Sequence, residues 1–414
     1  MIGWHVNNGK ESTPDFYPVG LFRQRFYRPD IISKILYTLD EAKAVQFAND
    51  EAGRKQQQVN VAQQLPPVVE ILSPQSGMEI SDNQITIRYN VRSKEPITNL
   101  KVLIDGRPTE KGWNNVPANS SQITVTIPER DCEVSLIAEN RFAPSVPAII
   151  RLKWKGKIPN ITAENMKPKL YILAVGVTKY ANTDFNLGLA AKDANDFVNV
   201  MLKQKGGLYR DVEVKLLTNE EATRDNIVDG LEWITKATTS RDVAMIFLSG
   251  HGINDNLNRY YFAPHNFNPD GLLRTGVTFS DIKNAVEAIA GKTLFFIDSC
   301  HSGNSIGTNK RKDGAVDING MVNELSSAEN GAIVINSSTG KQVSLEDAIW
   351  GNGAFTKALV EGLSGEAATA NGKITVKSLD FYISERVKEI TDGRQTPTTA
   401  IPNTVPDFPI AAKF

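Results

Sequence analysis

Short, mostly apolar runs alternate along the C-terminal part of the chain with stretches whose apolar residues recur at helical spacing. Leu170–Val175, Val212–Leu217, Val243–Leu248, Leu294–Ile297 and Ala332–Ile335 form the first set. Runs of this length suit strands buried on both faces. Between them Ala194, Phe197, Val198 and Met201 predict a helix over 190–203. Further helices are expected over 224–235, 280–290, 353–363 and 375–390. Strands alternating with helices predict an α/β domain, a mostly parallel sheet flanked by helices, over residues 169–414. In such sheets functional groups gather beyond the C-terminal strand ends.

Upstream the period changes to two. Ile85, Ile87, Tyr89 and Val91 alternate with polar residues, as do Leu100, Val102 and Ile104, then Ile123, Val125 and Ile127. Turn signals at Ser76-Gly77, Asp105-Gly106 and Asn114-Asn115 separate the strands. This pattern predicts an all-β antiparallel sandwich over 66–154. Residues 1–65 carry no sheet signal after a turn at Asn7-Asn8-Gly9 and read as a helical N-terminal arm. Arg28-Pro29-Asp30 sets up a helix start, and Ile31, Ile32, Ile35, Leu36 and Leu39 mark a face expected to be buried. A basic, proline-containing linker is expected over 155–168.

Composition narrows the class. Charged residues make up 22% of the chain and the formal net charge is −1, so no global basic field points to nucleic acid or to an anionic membrane. The two cysteines, Cys132 and Cys300, fall in different predicted domains and make no disulfide framework, which favours a reducing cytoplasmic setting. The opening residues lack the apolar core of a signal peptide, and no run reaches transmembrane length. Cys132 reads as an ordinary small residue of the sandwich.

Chemistry gathers at two strand ends. Val243–Leu248 runs into Ser249-Gly250-His251-Gly252, and Leu294–Ile297 runs into Asp298-Ser299-Cys300-His301-Ser302-Gly303. Two of the chain's four histidines therefore stand at these ends. A cysteine nucleophile needs a neighbouring imidazole to take and return a proton, and flanking glycines free backbone N–H groups to face an oxyanion. A zinc site would need three or four ligands, and no regularly spaced partner set accompanies Cys300, His301 and His251. No glycine-rich phosphate loop follows the first strand, and neither Ser249 nor Ser302 sits in a GxSxG elbow. No cofactor or metal is called for.

Together the two motifs resemble those of caspase-like cysteine peptidases, the metacaspases and bacterial orthocaspases above all. In that family the histidine lies about 50 residues upstream of the cysteine, as His251 lies upstream of Cys300. The resemblance implies a caspase-like fold over roughly 167–401, with Cys300 as nucleophile, His251 as acid/base, and an oxyanion hole from the N–H groups of Cys300 and Gly252. Asp298 and Asp193 match the acidic residues that line the metacaspase S1 pocket, and Ser249 matches another pocket position. Where the family reads Gly-Cys-x-Asn-Asp-Ala, this chain reads Leu189-Ala-Ala-Lys-Asp-Ala194, keeping the aspartate alone of the first four named residues. A pocket floored by two carboxylates is expected to bind Arg or Lys at P1 of a protein substrate.

The region after the histidine, Ile253 to Tyr261, holds Asp255 as its only acid, unlike the acidic cluster of calcium-dependent metacaspases. The basic loop Asn309–Gly314 offers Lys310, Arg311 or Lys312 for self-cleavage; a solvated charge run reads equally well. Ser337–Gln342, Ser344, Glu346 and Gly353–Leu359 resemble the family's small-subunit region, one wall of the substrate groove. The Pro-Val-Val-Glu-Ile opening of the sandwich resembles bacterial immunoglobulin-like modules, which space domains or contact regulatory partners. The first residues resemble a segment preceding caspase-like domains in larger bacterial proteins, so the chain is expected to begin inside a longer architecture. A recognition or scaffold protein with a silent caspase-like domain is the alternative.

Overall fold

The computed structural model describes residues 2–10, 13–22, 26–51, 53, 61, 64–109, 121–156, 167–255, 259–301, 318–327, 330–339, 342, 344–347 and 349–414, with Cys300 and His301 described by their backbone. The chain divides into two compact units, Met1–Val102 with Lys111–Lys155, and Leu103–Glu110 with Gly156–Phe414.

The first unit opens on an antiparallel hairpin, β1 (Gly3–Val6) with β2 (Asp15–Pro18), where the sequence showed no sheet signal. Four-residue strands are too short to display a period. Aromatic contacts hold them instead: Trp4 packs edge-on against Phe22 at 4.8 Å and His5 against Phe16 at 4.8 Å. Helix α1 (Pro29–Thr38) starts at the expected proline, and α2 (Glu41–Glu51) follows. Contrary to the expected buried face, Ile32, Leu36 and Leu39 of this segment are exposed. Ile31 and Ile35 are half-buried, Ala44 and Ala48 of α2 are buried, and Lys34 pairs with Glu51 at 2.6 Å while Arg28 donates to Asn49.

Strands β3 (Val68–Ser73), β4 (Glu79–Ile80), β5 (Gln84–Arg92), β6 (Ile97–Ile104), β7 (Arg107–Pro108), β8 (Gln122–Thr126), β9 (Cys132–Asn140) and β10 (Ala148–Trp154) follow. They form two sheets, β3-β5-β8 and β4-β10-β9-β6-β7. Ile85, Ile87 and Tyr89 are buried while Gln84, Thr86 and Arg88 are exposed, the alternation that a half-buried strand requires. Cys132 is a buried residue of β9.

The second unit contains β11 (Lys169–Gly176), α3 (Ala190–Leu202), β12 (Asp211–Thr218), α4 (Arg224–Ala237) and β13 (Val243–Asn254). After these come β14 (Tyr260–Phe262), β15 (Val277–Thr278), α5 (Phe279–Ala288), β16 (Lys292–His301), α6 (Ile318–Leu325) and β17 (Ala332–Asn336). A small hairpin, β18 (Glu346–Asp347) and β19 (Asn352–Gly353), leads into α7 (Ala354–Glu361), β20 (Lys373–Thr375), α8 (Val376–Ile390), β21 (Thr398–Ala400) and β22 (Pro409–Ala412). The main sheet runs β12-β11-β13-β16-β17-β21, parallel except for the last strand, which pairs antiparallel with β17. All five runs expected to be strands form its first five members.

Side chains alternate between two cores. Met245, Phe247, Leu294 and Phe296 pack with Phe197 of α3, Leu359 of α7 and Ile383 of α8. Ala244, Ile246, Phe295 and Ile297 pack with Ile234 of α4, Val286 of α5 and Leu325 of α6. Phe197 stacks on Phe247 at 4.8 Å, and each such ring contributes about 1.5–3 kcal/mol by burial. Arg107, also of this unit, is buried and donates to the carbonyls of Val286, Ile289 and Asn330. Among the described residues no helix is long and apolar enough to cross a membrane.

Candidate active site

The two motifs lie on the central pair of strands, β13 and β16. Both strands run further than their apolar stretches: parallel pairing continues through Ser249↔Asp298 and His251↔Cys300 to Gly252↔His301. The motifs are thus inside the sheet, at its C-terminal edge, rather than on loops after it. The pairing itself explains this, because each strand offers the other backbone partners past the last apolar side chain. Antiparallel pairing of Gly252 with Phe262 of β14 holds the far end.

Gly250 has φ +155, and a Cβ there would stand 3.1 Å from both the Phe262 ring and the Tyr180 hydroxyl. A Cβ on Gly252 would come within 2.8 Å of the Tyr260 ring. Glycine is what lets these backbones approach so closely.

His251 is 6% exposed. Its backbone N–H donates to the Tyr180 hydroxyl at 3.0 Å, and the two rings lie 5.1 Å apart. Nε2 is 2.8 Å from the carbonyl oxygen of Phe185. A carbonyl only accepts, so Nε2 carries the hydrogen, and in the neutral ring Nδ1 presents its lone pair. Nδ1 is buried and has no hydrogen-bond partner among the described residues. Burial pushes the imidazole below its ordinary pKa, with the Phe185 carbonyl opposing, which favours the neutral ring. The loop carrying Tyr180 and Phe185 is fixed in turn: Asn219 Oδ1 accepts the N–H groups of Thr178 and Lys179, and Asn186 Oδ1 accepts that of Tyr180.

Beside this pair lies a cluster of carboxylates. Asp193, in the first turn of α3, is 1% exposed and Asp298 is 5% exposed. Asp193 accepts from Asn352 Nδ2 at 2.9 Å and from the Gly353 N–H at 3.2 Å. Asp298 accepts from the Thr356 hydroxyl at 2.7 Å. One oxygen of each carboxylate stands 3.2 Å from the point where a Cβ on Gly353 would be, so the two converge on that glycine. Burial, then the neighbouring Asp298, pushes Asp193 up to about 8. Burial also raises Asp298, against the hydrogen bonds from Thr356, Ser344 and Ser337. Ser249 is buried on β13, paired with Asp298.

A third carboxylate joins them. Glu346 of β18 accepts the Gly188 N–H at 3.1 Å, and it is raised by burial and then by Asp298. Sequence reasoning gave Glu346 no role, although it stood in the stretch that resembles a groove wall. It also missed Tyr180, Asn352, Thr356 and the Phe185 carbonyl, which no local pattern marks. Lys310, Arg311 and Lys312 lie outside the described residues. Among the described residues no group of three or more His, Cys, Asp or Glu side chains is arranged to hold a metal ion.

A cysteine and a histidine on neighbouring strands of a helix-flanked parallel sheet define the class: an α/β protein with the elements of a thiol hydrolase. The caspase domain family matches residues 169–408, more than half of the chain, and the chain belongs to that family, which is one of cysteine peptidases. No curated protein matches the sequence. Among solved structures the chain is similar to a Geobacter sulfurreducens protein at 19% identity, over 60% of this chain and 100% of that one, with a TM-score of 0.43. It is similar to pro-sf-caspase-1 at 12% identity, over 61% and 100%, with a TM-score of 0.37. Fibronectin(III)-like modules of CbhA from Clostridium thermocellum align at 21% identity, over 22% and 100%, with a TM-score of 0.20.

Proposed function

We propose that this protein is an active cysteine endopeptidase of the metacaspase or orthocaspase type that cuts protein chains after arginine or lysine. The observation that carries the reading is the placement of His251 as the register partner of Cys300, with Nδ1 buried and unpartnered among the described residues. Nδ1 takes the Cys300 thiol proton, and the thiolate attacks the scissile carbonyl carbon. The oxyanion is received by the N–H groups of Gly252 and Cys300. The proton on Nδ1 then passes to the leaving amine, the C–N bond breaks, and a thioester remains. Water, losing its proton to His251, hydrolyses the thioester and restores the thiol.

Asp193 and Asp298, with Ser249 beside them, form the S1 pocket, and Glu346 adds a third carboxylate. Buried carboxylates gain most from a cation that carries its own hydrogen-bond donors, which favours Arg and then Lys. The upstream sandwich is an immunoglobulin-like module that contacts a regulatory partner, the protein works in the cytoplasm, and Lys310, Arg311 or Lys312 is the self-cleavage point.

A peptide mixture varied only at P1, incubated with the protein and read by mass spectrometry, tests this. Cleavage confined to bonds after Arg and Lys is expected; cleavage after Asp, or without P1 preference, contradicts it.

A further inference from the structure

Among the described residues the acidic cluster has no resident countercharge. Among the described residues the donors to Asp193, Asp298 and Glu346 are neutral: an amide side chain, hydroxyls and backbone N–H groups. The described charged groups on the surrounding elements are engaged elsewhere. On α3, Lys192 is paired with Asp196, which also accepts from Asn352 Nδ2 at 2.8 Å. On α7, Lys357 pairs with Glu361 at 3.3 Å. On β18, Asp347 accepts the Ile349 N–H at 2.9 Å and adds no positive charge. On β13, His251 gives its Nε2 hydrogen to Phe185, and burial favours its neutral form. Among the described residues no lysine or arginine donates to any of the three pocket carboxylates.

Two buried carboxylates directed at the one Gly353 position, with a half-buried third beside them, resist being ionised together. Desolvation and like-charge repulsion both favour keeping a proton. Groups that interact this strongly lose protons as a set, so the proton belongs to the cluster rather than to one residue. A cationic side chain entering the pocket reverses the balance, because it supplies the missing positive charge and donors together.

Resting on the reading of these residues as the S1 pocket, we propose that the empty pocket holds a proton that an entering P1 guanidinium or ammonium displaces into solvent. Recognition of a basic residue is thereby coupled to proton release. The raised Asp193 and Glu346 agree in direction. Affinity for a basic P1 residue then strengthens with rising pH, by up to about tenfold per unit for one linked proton, and levels off once the empty pocket is itself ionised.

Calorimetry on the Cys300→Ala protein tests this, since that variant keeps the pocket, removes the thiol from the proton count and leaves the peptide intact. Two peptides are compared, identical except for arginine or its neutral isostere citrulline at P1. Each is titrated at pH 7 in phosphate and in Tris, whose ionisation heats differ. The arginine peptide is expected to release about one proton at pH 7 and close to none above about pH 9, with no release for citrulline. Arginine binding with equal heats in both buffers overturns the proton coupling and leaves the S1 assignment standing. Equal affinity for the two peptides, or no binding of the arginine peptide, overturns the S1 assignment and the coupling with it. Asp193→Asn provides a second readout: tight arginine binding with unchanged proton release also contradicts the proposal.

Discussion

His251 and Cys300 are register partners on adjacent parallel strands, within a pairing that runs unbroken from Val243↔Lys292 to Gly252↔His301. Partners in such a ladder have backbones about 4.8 Å apart. The spacing of His251 and Cys300 is therefore fixed by the most buried part of the sheet, and what remains adjustable is the orientation of the ring. Two contacts set that: the Tyr180 hydroxyl on the backbone N–H and the Phe185 carbonyl on Nε2.

Tyr180→Phe removes the first of these while keeping the ring that packs on His251. It leaves a buried N–H without its acceptor, at a cost of about 1–3 kcal/mol. A fall in kcat of roughly tenfold is expected, with KM for an Arg-P1 peptide little changed. Steady-state kinetics check it; an unaltered kcat shows that Tyr180 does not orient His251.

The pH dependence of kcat follows from the same ring. In the proposed mechanism its working form is the neutral imidazole, and burial holds its pKa below the ordinary 6.5. Activity is lost as pH falls through that lowered value, so the acid limb of kcat lies below pH 6.5 and turnover is flat from there through neutrality. A kcat profile centred above 6.5 contradicts a desolvated His251.

Glu346→Gln keeps an oxygen to accept the Gly188 N–H and removes only charge. In the proposed pocket this raises KM for an Arg-P1 peptide about tenfold and changes kcat less than twofold. Equal KM values for the two proteins place Glu346 outside substrate recognition.

The pocket also bears on stability. Asp193 sits near 4 in an unfolded chain and is pushed up to about 8 in the fold. Its contribution to stability is therefore fully present below about pH 4 and is lost as pH rises toward 8. Asp193→Asn escapes that loss. The variant is expected to melt at or near the wild-type temperature at pH 5 and higher at pH 8.5, by about 2–4 °C for each ~1 kcal/mol relieved. Thermal melts at the two pH values decide it; a variant less stable at both contradicts burial of an ionised Asp193 at high pH.

Much of the second unit was legible because its strands are buried on both faces and spell themselves out as runs such as Leu170–Val175. The pairing of the two motifs was foreshadowed as well, since both follow apolar runs that become neighbouring strands, which makes His251 and Cys300 register partners. What could not be read was decided by tertiary pairing. Strands β13 and β16 extend through the motifs because each completes the other's backbone bonds. Glu346, Asn352 and Thr356 reach the pocket only once β18, β19 and α7 fold across α3. The Phe185 carbonyl is a backbone group and leaves no trace in residue identity. At the N-terminus, Ile31, Ile32, Ile35 and Leu36 share the spacing of a buried face, yet only Ile31 and Ile35 are half-buried while Ile32 and Leu36 are exposed.

The most direct test of the account is hydrolysis of matched fluorogenic peptides, one with arginine and one with citrulline at P1, by the wild-type and Cys300→Ala proteins. Wild type is predicted to turn over the arginine peptide at least about a hundredfold faster than the citrulline peptide, and Cys300→Ala neither. Turnover retained by Cys300→Ala, or equal rates on the two peptides with wild type, contradicts a cysteine peptidase that recognises a basic residue through its buried carboxylates.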